Sequence, residues 1–576
     1  MNRGAVYHQS AGPMCYAYAK DELIISLKTG KDVKQVFLIY DDPYGDSPAS
    51  DSPGHCAEMT DKKELKDHFW WSIQVHVRYR RLKYYFRLVA DDETLCFLED
   101  GFFSEEDSRP LRYFEMPWMH SADLGETPSW VNEVVWYEIF PDRFYRAPSS
   151  GKKTGIQPWR EEGPVGFGET FGGNLRGITE KLDYLSDLGI GGLYLMPVCK
   201  GSKIHGYHTT DYETIAPLLG TEEDMKELVQ EAHRRGIRVI MDAVFNHSGP
   251  LFGPWKDVRR KGPMSKYYDW FMVNSWPFCT RGDTRDGRYY SFAFYADMPK
   301  LNTSNEETAA YLEGICLSWI EKYDIDGIRL DACTELSHAF LKRLRRAVKA
   351  IRPDFYLLGE TWHDGSKFLE GDELDGVSNF PLLCAIDDVF SNQKLTREDF
   401  MYRMNACYTM YRQQNNNALL NMLDSQDTQR LYTHLGDLGV MLQELTVLFT
   451  MPGAPLLFYG TEIVLEGEKD PDCRRCMPWG SMDQGIRRTC LNLIRKLIHL
   501  RGRERALRSL HYRFFTASNE DRLFAYKKLD EEGNQIEILL NASQTPIPIS
   551  SSGEVLFSYL YENGILSPKG TLIQKK

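Results

Sequence analysis

Nothing in this sequence is apolar for long enough to cross a bilayer: no run reaches the roughly 18 residues of a membrane-spanning helix. Its start, MNRGAVYHQSAGPMCYAYAKDELIISL, lacks a basic stretch followed by an apolar core of signal-peptide length, so a cytoplasmic protein with no membrane partner is expected. Positive charge is short as well. With 69 Lys and Arg against 82 Asp and Glu, the formal net charge of -13 argues against nucleic acid as a partner. Paired cysteines are scarce: among 12 Cys only Cys473 and Cys476 stand close, and neither a second CxxC nor a nearby His completes a zinc site. They are read as reduced thiols, and no metal or cofactor is expected. A GxGxxG after the first central strand is missing too, which argues against dinucleotide binding.

What the sequence does have is length and aromatic rings. Its 576 residues exceed what one hydrophobic core supports, and 13% are aromatic. Three domains are expected. Residues 1–125 hold runs of alternating, aromatic and β-branched residues, QVFLIY and FWWSIQVHVRYRRLKYYFRLV, with no convincing helix between them, and predict an N-terminal β-sandwich. The rings of HFWWSIQV are read as core, because alternate residues of a sandwich strand point inward.

Beyond Pro128 short apolar strands alternate with amphipathic helices such as EEDMKELVQEAHRRG and SHAFLKRLRRAVKAI. Eight strands are expected: 134–140, 191–198, 238–244, 326–332, 356–361, 376–380, 418–425 and 455–460. Eight alternations predict an α/β fold, a (β/α)8 TIM barrel over 126–504, rather than an open doubly wound sheet. The interruption after the third strand is long enough for a small inserted domain at about 247–305. From about 505 to 576 the strand rhythm returns and predicts a C-terminal β-sandwich domain.

In such a barrel the chemistry sits at the C-terminal strand ends, and the polar residues cluster there. The third strand ends in Asp242, Asn246 and His247, the fourth in Arg329 and Asp331, the fifth in Glu360 and the seventh in Gln426 and Asp427. Paired carboxylates in unlike environments are what glycosidic cleavage requires, one as anion and one as proton donor. Asp331, two residues after Arg329, faces the same side, where the guanidinium is expected to hold its pKa down. Glu360 leaves an apolar strand and suits the proton donor.

The segments DAVFNH (242–247), GIRLDA (327–332), GETW (359–362) and LDSQDT (423–428) resemble the hallmark motifs of the α-amylase superfamily of glycoside hydrolases. WYEIFPDRF, MPKLN and EGEKDPDCRRCMPW are similar to its neopullulanase, cyclomaltodextrinase and maltogenic amylase branch. The resemblance implies Asp331 as nucleophile, Glu360 as acid/base and Asp427 as the third carboxylate. It further implies that Tyr207 is a sugar platform, that His247 bonds the sugar, that Arg329 orients Asp331 and that Asp242 is structural support. Glu335 falls on the acceptor side, and Trp362 is expected to stack on a glucose ring. It implies an α-glucan oligosaccharide as partner, and a homodimer formed through the starch-binding-like N-terminal domain.

Departures from the branch are visible. Gln426 stands where His is usual, Thr334 where Asn is common and His208 where Asp is expected, and residues 145–155 carry no carboxylate cluster, so no calcium is expected there. The expected activity is hydrolysis of α-1,4 bonds in cyclomaltodextrins, pullulan and maltooligosaccharides. A 4-α-glucanotransferase of the same fold and a non-catalytic glucan-binding protein are the alternatives.

Overall fold

Every second side chain of Leu82–Ala90 is buried, as a strand with one face on a core requires. In this computed structural model, which describes residues 1–44, 55–104, 112–148, 155–549 and 553–576, that strand belongs to the second of two antiparallel sheets. The first sheet orders Cys15–Ala19, Glu22–Thr29, Phe69–His76 and Asp61–Glu64; the second orders His55–Glu58, Val33–Asp41, Leu82–Ala90, Thr94–Leu98 and Gly101–Ser104. Leu23, Ile25 and Trp71 of one meet Leu38, Tyr84 and Phe86 of the other in a single core. This is the expected sandwich, with Trp71 inside it. Asp364–Asp372 and Lys394–Asn416 belong to the same compact unit as Met1–Glu126, and the Asn405 amide donates to the Glu64 carbonyl at 2.7 Å.

The second unit contains Thr127–His363, Glu373–Gln393 and Asn417–Lys576. Its eight parallel strands are β1 (Trp136–Ile139), β2 (Gly192–Leu195), β3 (Arg238–Ala243), β4 (Gly327–Leu330), β5 (Tyr356–Gly359), β6 (Gly376–Val377), β7 (Leu420–Asn421) and β8 (Ala454–Phe458). The order β6-β5-β4-β3-β2-β1-β8-β7 is an α/β barrel cut open in one place, and a parallel bridge between Ser378 and Leu420 closes the cut. Trp136, Tyr194, Ile240, Tyr356, Leu420 and Leu456 fill the interior.

β6 and β7 are shorter than their sequences suggest, for local reasons. Asn379 ends β6 by capping the helix Phe380–Ser391, its side chain accepting from the Leu382 amide at 3.3 Å. After β7 the buried Asp424 accepts the Leu431 amide at 3.1 Å and the Thr461 hydroxyl at 2.9 Å, so it folds a turn instead of extending the strand.

Helices return the chain between strands. Glu222–Arg234 begins with a capping box between Thr221 and Asp224 and buries Met225, Leu228, Val229 and Ala232. The insertion after β3 has a small aromatic core, in which Trp255 stacks on Phe278 at 5.3 Å and meets Tyr289 at 5.0 Å. Isolated bridges join His247 to Lys300 and Ser291 to Pro299. At the C-terminus six strands between Tyr512 and Lys575 share one hydrogen-bonded sheet around Leu523, Leu539, Leu566 and Leu572.

Candidate active site

Parallel register sets the chemistry at one level. Asp242 on β3 is paired with Arg329 on β4, and Leu330 with Gly359 on β5, so the residues that follow emerge together. Arg329 is the hub. Its Nη1 donates to Asp242 at 2.9 and 3.0 Å and to Asp331 Oδ1 at 2.8 Å, while its Nη2 lies 2.9 Å from Glu360 Oε2. One guanidinium 4% exposed therefore touches three carboxylates from three strands. Among the described residues, no hydrogen bond occupies Oδ2 of Asp331 or Oε1 of Glu360.

The turn after Asp331 is strained in a useful direction. Ala332 adopts φ 45° and ψ 48°, a left-handed conformation that a residue with a Cβ rarely takes, and its amide thereby donates to Glu360 Oε2 at 2.8 Å. The buried Cys333 thiol donates to the Glu360 carbonyl at 2.9 Å. Both contacts fix Glu360 from the β4 side.

One electrostatic expectation is overturned. Burial pushes the Asp331 carboxyl well above its ordinary range, Arg329 opposes the shift and Glu360 adds to it. The guanidinium does not hold Asp331 down because it is shared with two other carboxylates, and desolvation outweighs the remaining attraction. Asp242 is also raised by burial. It accepts the Tyr194 hydroxyl at 2.8 Å and the Tyr207 hydroxyl at 3.0 Å besides Arg329, so all its contacts lie within the protein.

Tyr207 is half-buried, with its hydroxyl accepting from Gln426 Nε2 at 3.1 Å and His205 stacked at 5.8 Å. Gln426 thus reaches toward Tyr207, and its carbonyl accepts from Arg474 Nε at 3.0 Å and the Cys473 thiol at 3.1 Å. Asp427 stands at the mouth with its side chain one-third exposed, and Arg474 donates to its Oδ1 at 3.1 Å. Burial raises Asp427 to about 6, against the pull of Arg474.

His247, expected to bond the sugar, is tied to its protein neighbours. Its Nε2 lies 3.0 Å from the Tyr207 carbonyl and its Nδ1 3.3 Å from the Asn246 amide, its ring stacks on Phe292 at 5.0 Å, and it is 1% exposed. Burial lowers it to about 3, so it stays neutral and acts here as a brace for the Tyr207 loop. Asn246 also accepts from Lys300, whose ammonium lies 2.9 Å from both the carbonyl and a carboxylate oxygen of Glu335. Trp362 lies flat on Phe380, ring centroids 4.1 Å apart, and is 46% exposed, so one face is packed while the ring still reaches solvent. His208 is buried 3.6 Å from Asp297. Of the residues 145–155 read as lacking a calcium loop, 149–154 lie outside the described residues.

Arg474 and Lys300 were not singled out from the sequence, although both lie in quoted motifs. Asp470 and Arg474 are four apart and paired at 3.0 Å, a spacing that offered a signal. Lys300 offered none, because its partners lie 35 and 54 residues away along the chain.

Comparison with known proteins places these residues in company. The α-amylase catalytic domain matches residues 138–492, and the α-amylase N-terminal Ig-like domain matches residues 1–120. A maltogenic α-amylase of Bacillus acidopullulyticus is 40% identical over 95% of this chain and 93% of its own length. An intracellular maltogenic amylase of Bacillus subtilis is 38% identical over 88% and 85%. Among solved structures a cyclomaltodextrinase superposes with a TM-score of 0.89 at 34% identity, covering 100% of this chain and 98% of that one.

Proposed function

Because this chain belongs to the α-amylase family of glycoside hydrolases, in its neopullulanase, cyclomaltodextrinase and maltogenic amylase branch, we propose that it cleaves α-1,4 bonds of short and cyclic α-glucans with retention of configuration. The observation that carries this reading is the guanidinium shared by Asp331 and Glu360, which keeps the two carboxyls close. Retaining enzymes need a separation of about 5 Å, and inverting ones leave more room for a water. In the proposed reaction the pair reacts with its proton on Glu360 and Asp331 ionised against Arg329; Asp331 attacks the anomeric carbon through Oδ2 while Glu360 gives that proton to the departing oxygen. Water then enters, Glu360 takes its proton, and the glycosyl ester on Asp331 is released. Asp427 grips the sugar's secondary hydroxyls as the ring flattens.

Tyr207, Trp362, Gln426 and Glu335 complete the proposed sugar contacts. Asn246 and His247 support them from behind. Cyclomaltodextrins, pullulan and maltooligosaccharides are the proposed substrates, the cytoplasm the proposed location, and a homodimer through the N-terminal domain the proposed assembly. The names of the relatives, cyclomaltodextrinase and intracellular maltogenic amylase, support the cyclic and maltooligosaccharide substrates and the location.

The test is product analysis of purified protein with β-cyclodextrin, pullulan and soluble starch, run beside Asp331→Asn. Maltose and glucose from the ring and panose from pullulan, all absent in the variant, are the expected result. Products longer than the substrate would identify a transferase, and binding without any product would reject catalysis.

A further inference from the structure

Beside Glu360 and Asp427 the barrel interior holds a partly open cavity whose lining includes Glu138, Tyr194, Arg329, Glu360, Ser425 and Asp427. The space open to water centres is ≈ 10 Å³, about enough for one molecule. Glu138 on β1 stands one residue beyond Tyr137 and one before Ile139, and its alternation with Trp136 turns it into the barrel. It is fully buried, and neither of its carboxyl oxygens has a hydrogen-bond partner among the described residues. A carboxyl so placed is unusual.

Its surroundings decide its charge. Arg329 from β4, Asp242 from β3, Asp427 beyond β7 and Arg430 act on it, with Tyr194 and Glu360 also lining the space. Arg329 already serves three carboxylates. A fourth desolvated anion beside it, without hydrogen bonds, would be costly, whereas the protonated acid is not. Burial and Asp427 push Glu138 well up, in agreement. A neutral carboxylic acid is donor and acceptor at once, so it can hold a water and pass a hydrogen bond onward.

We propose that Glu138 is a positioning residue for the carboxylates above it, acting as a neutral acid that holds one water in this cavity and through that water orients Asp427. Orientation of Asp427 matters for turnover only if the glucan-hydrolase reading holds; the protonation and the water do not depend on it.

The test compares Glu138→Gln, which keeps a neutral head of the same shape, with Glu138→Leu, which removes it. An infrared difference spectrum of wild type minus Glu138→Gln at neutral pH is expected to contain the carbonyl stretch of a protonated carboxylic acid. A high-resolution crystal structure is expected to show one water within hydrogen-bond distance of Glu138. With β-cyclodextrin, Glu138→Gln should keep kcat within about threefold, and Glu138→Leu should lose at least about tenfold in kcat with KM nearly constant. Melting temperature should change little in Glu138→Leu, since a desolvated carboxyl bonded to no protein group, only to the proposed water, has been replaced by an apolar side chain. Conversely, a missing carboxylic acid band, a dry cavity, an unchanged kcat in Glu138→Leu, or equal losses in the two variants would each overturn the proposal. If Glu138→Leu does not fold, the band, the water and the Glu138→Gln rate decide it. A wild-type protein without turnover would fail the functional reading, while the spectrum and the water still report on Glu138.

Discussion

Replacing Arg474 with Met removes a charge while keeping much of the side-chain length, and its effect should depend on pH in a calculable way. Arg474 donates to Asp427 Oδ1 at 3.1 Å and is the main influence holding that carboxyl down against burial, which leaves it at about 6. Loss of an opposite charge at this distance raises a carboxyl by about 1–3 units. The anion is the form expected to bind the distorting sugar, so activity is lost as pH falls through the pKa, and a raised pKa moves that loss to higher pH. With a one-unit rise, the ionised fraction at pH 6 drops from about one-half to about one-tenth, a fivefold loss, while at pH 8 the loss is only about 1.1-fold. The assay is kcat/KM for β-cyclodextrin from pH 5 to 9 in both proteins, with Arg474→Lys as the charge-preserving control. A defect of equal size at every pH, with the acid inflection unmoved, would refute the electrostatic role and leave Arg474 only its hydrogen bonds to Asp427 and to the Gln426 carbonyl.

Three other outcomes follow from the site. Gln426→His adds a second charged donor beside Asp427 and should raise kcat about three- to tenfold on the acid side; a fall across the pH range would show that the bond from Gln426 to Tyr207 is the more valuable contact. Lys300→Met frees Glu335, which is expected to lower transfer relative to hydrolysis in maltotriose product ratios, with a melting temperature close to wild type because Glu335 is 40% exposed. The folded-state pKa of Asp427 lies above its ordinary value, so ionising it weakens the fold as pH rises from about 4 to about 6. Asp427→Asn should therefore melt higher relative to wild type at pH 7 than at pH 4, and a pH-independent difference would contradict the shift.

The convergence of the candidate site residues was legible in the sequence because the parallel register aligns strand ends, so polar residues leaving apolar runs fall at one level. Arg329, Asp331 and Glu360 needed no more than that. The charge state of Asp331 was not legible, since it depends on how many carboxylates share Arg329 and how completely they are desolvated. Strand length at β6 and β7 was overestimated for a similar reason. Asn379 and Asp424 lie inside the expected strands 376–380 and 418–425, yet their side chains bond to backbone amides and end the strands. Glu138 lay in plain view in WYEIFPDRF, but its isolation becomes visible only once the other seven strands surround it. Lys300 acts through partners 35 and 54 residues distant, which periodicity and spacing do not encode, and the four-residue spacing of Asp470 and Arg474 gave no hint of Asp427, 47 residues away.

The barrel's seam has a consequence for how it opens. Between β2 and β5 continuous backbone ladders hold the strands, whereas β6 meets β7 through a single bridge at Ser378 and Leu420. Much of the rest is done by two asparagines: Asn379 donates to Asn421 at 2.8 Å, and Asn421 donates to the Pro452 carbonyl at 2.7 Å. Closure along this line rests on the Asn379 backbone amide donating to the Leu420 carbonyl at 2.9 Å and, beyond it, on side chains, which point substitutions can erase. Amide protons flanking the seam should exchange with solvent before those of β3 and β4, and a barrel relaxing under heat or denaturant should begin to part there.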